Sequence, residues 1–501
     1  MKHQFLAALA AVLASSCILV WEKDQRVDPP ARDAQHAVVQ EELEPAADRA
    51  QSGARSSRTD GPSALSRAGD GKPVCGLGKQ FHAGRRAELM KRAGEELLVF
   101  RGLPGPRENL AFTQDKTFWY LTGVESPDAA LVLDGKTRRE ILFLPEQDLR
   151  QESWDGELWD AQDAWVKELT GFTEVRENTE LVATLEELLA GRKKVGTQLS
   201  PAIPLSGSYD SAIPFERAQA EDELDGRVSR EKALAAKLAE KLGVEVFDVA
   251  DTLVAMRWVK TEPEIAAMRR AADAGALAMS EAIRSTRPGI GEWELDAVMS
   301  CVQLQNGADG KAYAAIVGSA RNSCVLHYTA SNRRMGAGEV VLIDYGPELD
   351  HYTTDITRTW PVDGRFSERA AELYDAVLAA QKAGIAAAKP GVTLSDVNKA
   401  CTQVIQERGL QEYIRHGACH WIGMEVHDPG LKDPVVPGCA FTIEPGLYDD
   451  EAGIGIRIED VVVITASGCE VISDLVPKER AEIEALVAKE GVLDWLGSRR
   501  E

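Results

Sequence analysis

Glu339-Val340-Val341-Leu342-Ile343-Asp344 is an apolar run that ends in a carboxylate, and eleven positions later Asp355-Ile356-Thr357-Arg358-Thr359-Trp360 alternates like a strand. Two strands joined by a loop of this length form a hairpin that sets Asp344 beside Asp355. Two more acids occupy similar places. Glu444 ends Ala440-Phe441-Thr442-Ile443 and precedes Pro445-Gly446, while Glu459 lies in Gly455-Ile456-Arg457-Ile458-Glu459-Asp460, ahead of Val461-Val462-Val463-Ile464. A charge inside an apolar strand is costly unless it is paired or bound to metal. One such acid is explained by an ion pair; four invite a cation.

Histidines gather in the same region. Of eight in the chain, five fall between His327 and His427, and His416-Gly417-Ala418-Cys419-His420-Trp421-Ile422-Gly423-Met424-Glu425-Val426-His427-Asp428 holds three of them. Imidazoles interleaved with glycine suit a site better than a packed core. Asp344, Asp355, Glu444 and Glu459 together carry −4, which two divalent ions neutralise. Oxygen-rich ligation with one or two imidazoles and no thiolate favours Mn²⁺, Mg²⁺ or Co²⁺ over a structural zinc site. Two metals ~3.5–4 Å apart can share a hydroxide nucleophile and clamp a polarised carbonyl. The residues alone therefore describe a dinuclear metallohydrolase with no defined substrate.

Working outward, Thr261-Glu262-Pro263-Glu264 reads as a capping box with proline in the first turn. Ile265, Met268, Ala272, Met279 and Ile283 follow at helical spacing, and Arg287-Pro288-Gly289 stops the helix. A second long helix is expected over 367–388. This catalytic domain is placed at 250–496. Before it, residues 81–249 read as an α/β domain, with buried strands at 96–100, 129–133 and 140–144 and helices at 182–189 and 230–242. Trp154, Trp159 and Trp165 read as anchors of an acidic loop that packs on the sheet. Residues 22–80 contain no Phe, Trp or Tyr and are expected to form a disordered tether. Phe5 to Val20 is nearly all apolar behind Lys2, the layout of a signal over residues 1–21, and Leu13-Ala14-Ser15-Ser16-Cys17 resembles a lipobox. Export, with a possible membrane tether through the N-terminus, follows as an expectation.

The 501 residues are 44% hydrophobic and 27% charged, the balance of a globular protein, and the net charge of −23 argues against a nucleic-acid partner. Eight cysteines without a Cys-x-x-Cys pair argue against a disulfide scaffold or a four-cysteine zinc site. Gly76-Leu77-Gly78-Lys79 lacks the spacing of a phosphate-binding loop.

The motifs resemble the aminopeptidase P and prolidase group of metallopeptidases, which share the pita-bread fold. The resemblance covers about 81–487. It is carried by Val325-Leu326-His327-Tyr328, the runs around Asp344 and Asp355, the stretch from His416 to Asp428, Ile443-Glu444-Pro445-Gly446-Leu447-Tyr448, the run around Glu459, and Asp115-Lys116-Thr117-Phe118-Trp119-Tyr120-Leu121-Thr122-Gly123. It implies an α+β fold, a pita-bread catalytic domain preceded by a smaller α/β amino-terminal domain. It also implies two divalent metal ions, Mn²⁺ the expected choice, held by Asp344, Asp355, His420, Glu444 and Glu459. In that scheme Asp344 chelates one ion, Asp355 and Glu459 bridge both, and His420 and Glu444 hold the other.

The resemblance further assigns Glu444 as proton acceptor, His327 and His427 to the scissile carbonyl and oxyanion, and His416 and Arg457 to the substrate pocket. The implied reaction hydrolyses the N-terminal Xaa-Pro bond of proline-containing peptides through a metal-bridging hydroxide, in a homo-oligomer. Prolidase, which takes dipeptides only, is the alternative; the filled ligand positions argue against a non-catalytic binding module or a metal-free creatinase-like hydrolase. Cys419 stands where serine or glycine is usual and adds a thiol open to oxidation. The segments 409–416 and 448–455 are shorter than in many relatives, which leaves substrate-length preference open. His351, between the two aspartates, is expected to be an exposed loop histidine.

Overall fold

In the computed structural model, residues 74–105, 111–202 and 208–497 are described; the signal, Cys17 and the tether up to residue 73 lie outside the described residues. The amino-terminal part comprises α1 (Lys79–Ala93), β1 (Leu97–Arg101), α2 (Lys116–Thr122), β2 (Ala130–Asp134), β3 (Arg139–Leu144), α3 (Leu149–Asp155), α4 (Ala164–Thr170), β4 (Glu174–Glu177), α5 (Leu181–Leu188), β5 (Lys194–Thr197), α6 (Tyr209–Glu221), α7 (Arg230–Leu242) and β6 (Glu245–Asp248). Its strands form one sheet in the order β4-β3-β2-β1-β5-β6. β5 runs parallel to β1 and β6, whereas β2 is antiparallel to β1 and β3. The apolar runs expected as strands are these central ones, buried on both faces.

The second part begins with α8 (Ala250–Trp258), α9 (Glu262–Arg284) and α10 (Glu292–Gln305). The capping box forms as read: Glu264 Oε2 accepts from the backbone N–H and the hydroxyl of Thr261, each at 2.7 Å. Strands β7 (Gly310–Lys311), β8 (Ile316–Ser319), β9 (Val340–Tyr345), β10 (Pro347–Leu349), β11 (Tyr352–Thr353) and β12 (Ile356–Pro361) follow. Helices α11 (Glu368–Ala387) and α12 (Leu394–Glu407) cover strands β13 (Ala440–Ile443), β14 (Gly446–Asp449), β15 (Ile454–Arg457), β16 (Asp460–Ile464) and β17 (Cys469–Val471), and α13 (Arg480–Val487) and α14 (Val492–Gly497) close the chain. These strands make short sheets, chiefly β12-β9-β8, β13-β16-β17 and β14-β15.

Order starts earlier than the composition implies. Cys75 is buried and α1 begins at Lys79, because His82 fastens the preceding turn: its Nδ1 donates to the Tyr120 carbonyl at 3.0 Å and its Nε2 accepts from the Leu77 N–H at 3.1 Å. A side chain at Gly76 would strike that imidazole, 2.3 Å from Nε2. The tryptophan reading also needs correction. Trp159 and Trp165 meet edge to face at 5.1 Å, but Trp154 is 79% exposed on α3 and anchors nothing. The two parts are not separate cores either: Leu98, Phe118 and Trp119 share a buried apolar cluster with Ile422, Met424 and Val461. Among the described residues no helix is long and apolar enough to cross a membrane.

Candidate metal centre

β9 and β12 pair antiparallel with Thr357 opposite Asp344. Side chains alternate along a strand, so Asp355, two residues before Thr357, projects on the same face as Asp344. The strands close tightly here: a side chain at Gly346 would lie 1.8 Å from the Thr354 carbonyl oxygen. The other two acids come from a second pair. Ile443 of β13 is opposite Asp460 of β16, so one further step places Glu444 across from Glu459. Glu459 is tied to the first hairpin, its N–H donating to the Thr357 carbonyl at 3.0 Å and its Oε2 accepting from the Thr357 hydroxyl at 2.7 Å.

His420 enters from the loop preceding β13, held by reciprocal bonds with Thr442. Its Nδ1 donates to the Trp421 carbonyl at 3.0 Å, which leaves Nε2 to face the acids. Nε2 lies 3.5 Å from Asp355, 3.6 Å from Glu459 and 3.7 Å from Glu444. Asp355, His420 and Glu459 each offer a ligand atom within 4.8 Å of the others'. Burial and the neighbouring carboxylates push Asp355 well above the usual carboxylate range, and burial with Glu459 pushes Glu444 up to about 8. Burial opposes a charged His420, but the adjacent carboxylates of Asp355, Glu459 and Glu444 raise it well above its ordinary value.

Around this cluster Arg457 spreads three donors: Nη2 to Asp344 at 2.7 Å, Nε to the Thr357 hydroxyl at 3.1 Å and Nη1 to the Tyr448 hydroxyl at 2.8 Å. That hydroxyl in turn faces His416 Nε2 at 2.7 Å, and because His416 Nδ1 donates to the Gly417 carbonyl, Tyr448 donates to Nε2. Burial, then Arg457, lower His416 to about 4, so it stays neutral. The His427 ring lies 4.1 Å from the His420 ring, with Nδ1 at 3.3 Å from Asp210 of α6. His327 is exposed beyond the 3-10 turn Ala320–Cys324, near enough that its charge opposes protonation of His416 and His427. A cavity of about 490 Å³ opens beside His420 and His427, lined also by Tyr209, Ile213, Val254 and Trp421.

The donor set fits divalent cations. Glu459 Oε1 is buried with no hydrogen-bond partner among the described residues, and it points to where Asp355 and His420 converge. Of the other two predicted ligands, Glu444 lies 3.7 Å from His420 Nε2, and Asp344 shares the Tyr313 hydroxyl with Asp355. Cys419 brings no thiolate: burial pushes its thiol well above the ordinary value, which disfavours the oxidation its sequence position suggests.

His351 overturns the expectation of an exposed loop. Asp350 and His351 form a two-residue hairpin loop with φ of 51° and 60°, turning β10 and β11 inward. His351 is 5% exposed, pairs through Nε2 with Glu125, and lies 4.4 Å from the Trp119 ring. Sequence reasoning missed Tyr313, whose hydroxyl touches both aspartates, and Asp210; neither sits at a spacing that announces it.

Residues 266–466 match the model of metallopeptidase family M24 and residues 82–196 that of the aminopeptidase P N-terminal domain. The chain is 32% identical over 450 residues to the Xaa-Pro aminopeptidase of Escherichia coli K12, covering 82% of this chain and 98% of the relative. An Xaa-Pro dipeptidase of Pyrococcus horikoshii is 34% identical but covers 52% of this chain and 78% of its own. Among solved structures, aminopeptidase P from E. coli with the inhibitor Pro-Leu superposes with a TM-score of 0.69 at 28% identity, covering 84% of this chain and 99% of its own.

Proposed function

Because the chain belongs to metallopeptidase family M24 and carries an aminopeptidase P amino-terminal domain, we propose that it is a metalloaminopeptidase that hydrolyses the N-terminal Xaa-Pro bond of peptides. The observation that carries this reading is the approach of Asp355, His420 and Glu459 to within 4.8 Å of one another, with Glu459 Oε1 left unsatisfied among them. Asp344 would hold one ion, His420 and Glu444 the other, with Asp355 and Glu459 shared. Two divalent ions, Mn²⁺ by the oxygen-rich donor set, would supply a water made nucleophilic near neutral pH and Lewis-acid polarisation of the carbonyl.

The chain's own groups do the rest. Glu444, 3.7 Å from His420 Nε2, is the carboxylate that would accept a proton from the attacking water and return it to the proline nitrogen as the bond breaks. Arg457 keeps Asp344 ionised and, through Tyr448, fixes the orientation of His416 at the pocket wall. Asp210 holds His427 Nδ1, which leaves Nε2 as the ring atom free for the substrate carbonyl.

Relatives named Xaa-Pro aminopeptidase span far more of this chain than the dipeptidase does, and the amino-terminal domain is included in that span. The test is incubation with Mn²⁺ and three substrates: an Xaa-Pro-Xaa tripeptide, an Xaa-Pro dipeptide and an Xaa-Ala-Xaa control. Cleavage of the tripeptide with the control intact supports the proposal; cleavage of the dipeptide alone replaces it with prolidase. Export through residues 1–21 and a homo-oligomer belong to the same reading. Intact Met1 on a cytosolic protein would refute the first, and a monomeric mass in solution the second.

A further inference from the structure

Six charged side chains form a buried cluster against the loop that follows His420. Lys116, Arg257 and Lys260 supply three positive charges; Glu348, Glu425 and Asp428 supply three negative ones, and all six are buried. Arg257 Nη2 lies 2.5 Å from Asp428 and 3.5 Å from Glu425, and Lys260 Nζ 3.1 Å from Asp428. Lys116 comes from α2, in the amino-terminal part. Its Nζ lies 2.7 Å from Glu348 and 3.6 Å from Glu425 and donates to the Met424 carbonyl.

The placement of its partners gives this ammonium its meaning. Glu348 is on β10, within the connection that joins Asp344 to Asp355. Met424 and Glu425 lie in the loop between His420 and His427. The same two segments are stitched by Thr353, whose N–H and hydroxyl both donate to the Gly423 carbonyl, at 2.9 and 3.1 Å. The loop is braced internally, the Glu425 N–H donating to Asp428 at 3.2 Å and the Asp428 N–H to the Trp421 carbonyl at 3.0 Å. One side chain of the amino-terminal part thus holds both pieces of backbone that carry the reacting groups.

We propose that Lys116 is a positioning residue for the peptidase reaction: by bridging Glu348 to the Met424–Glu425 backbone it sets the His420–His427 loop against the Asp344–Asp355 hairpin, and so couples the amino-terminal domain to turnover. The claim rests on the proposed peptidase activity for its kinetic readout, but not for its structural one. A buried unpaired charge distorts or floods its surroundings, and a sub-ångström change in the loop displaces His427 from the substrate.

The test uses the full chain with three variants, K116M, K116R and the charge-balanced K116M/E425Q. K116M is expected to lower kcat on an Xaa-Pro-Xaa tripeptide at least tenfold with KM within twofold and metal content unchanged. K116R should recover part of that loss. The double variant should recover thermal stability without recovering kcat, since balance returns but the bridge does not. Recovery of both together would overturn the proposal and leave Lys116 a purely structural residue, as would a K116M variant with kcat within twofold of wild type. Hydrogen exchange separates this proposal from the assigned activity. Backbone amides of residues 423–428 should exchange at least tenfold faster in K116M while those of β9 and β12 are unchanged. If the wild type cleaves no Xaa-Pro peptide, the functional reading fails and the exchange result alone decides; unchanged exchange refutes the positioning role.

Discussion

Asp344 and Asp355 share one phenol: Tyr313 Oη lies 2.5 Å from Oδ1 of each. A hydroxyl carries a single hydrogen, so it can donate to only one of two ionised carboxylates. The other contact requires either a proton on a carboxyl or a cation close by, and Asp355 is the one that burial and its neighbours push toward the protonated form. A divalent ion held by the two carboxylates would relieve the same conflict.

Tyr313→Phe is therefore expected to weaken metal affinity about 10–100-fold, the range for losing an outer partner of a ligand. Titration of the stripped variant with Mn²⁺ by calorimetry checks this. Binding as tight as wild type would make the phenol contact incidental.

Glu444→Gln removes the proposed base while keeping shape. It should lower kcat by roughly 10²–10⁴-fold with the fold intact, the range for general acid–base groups. Circular dichroism and steady-state kinetics on a tripeptide are sufficient, and near-normal turnover would remove Glu444 from that role.

Chelation should abolish activity and lower the melting temperature, because Asp355, Glu444 and Glu459 are left crowded around His420 without a compensating ion. Re-addition of Mn²⁺ to ~100 times its dissociation constant should restore about 2.7 kcal/mol of stability. A melting curve indifferent to chelator and metal would count against the ligand set.

His82 sets an acid limit on stability independent of the metal. Burial, the largest influence, lowers it to about 3, despite its bond to the Tyr120 carbonyl. The sign follows: in the unfolded chain this imidazole takes a proton near pH 6.5, whereas in the folded chain it does not until near pH 3. Stability should fall as pH drops through that window, by up to ~1.4 kcal/mol per pH unit from this residue. A His82→Asn variant should melt lower at neutral pH yet with a shallower dependence between pH 6.5 and 4; parallel curves would show that His82 does not govern the slope.

Much of the candidate site was legible because a carboxylate at the end of an apolar run is a conflict visible without coordinates. Asp344, Asp355, Glu444 and Glu459 each show it, and the alternation of Ile356 to Trp360 fixed the face on which Asp355 would project. The helices starting at Thr261 and Ser367 were equally readable, since caps and apolar spacing are local. His351 was misread because its burial depends on Glu125 and Trp119, more than two hundred residues away in the chain. The ordered turn at residues 74–78 was misread for the same kind of reason: it lacks aromatic residues of its own but borrows His82 and Trp119.

The sequence by itself determined the apolar strands that end in carboxylates and the capped helices that flank them. Each follows from periodicity, capping and the penalty on buried charge, which act over a few residues. Tertiary structure alone decided which atoms meet: Tyr313 between two aspartates, the tautomers of His416 and His420, and Lys116 against the Met424 carbonyl, 308 residues apart. Those contacts arise from the packing of distant segments, where a shift of one ångström makes or breaks a hydrogen bond, and no local pattern encodes a distance of that kind.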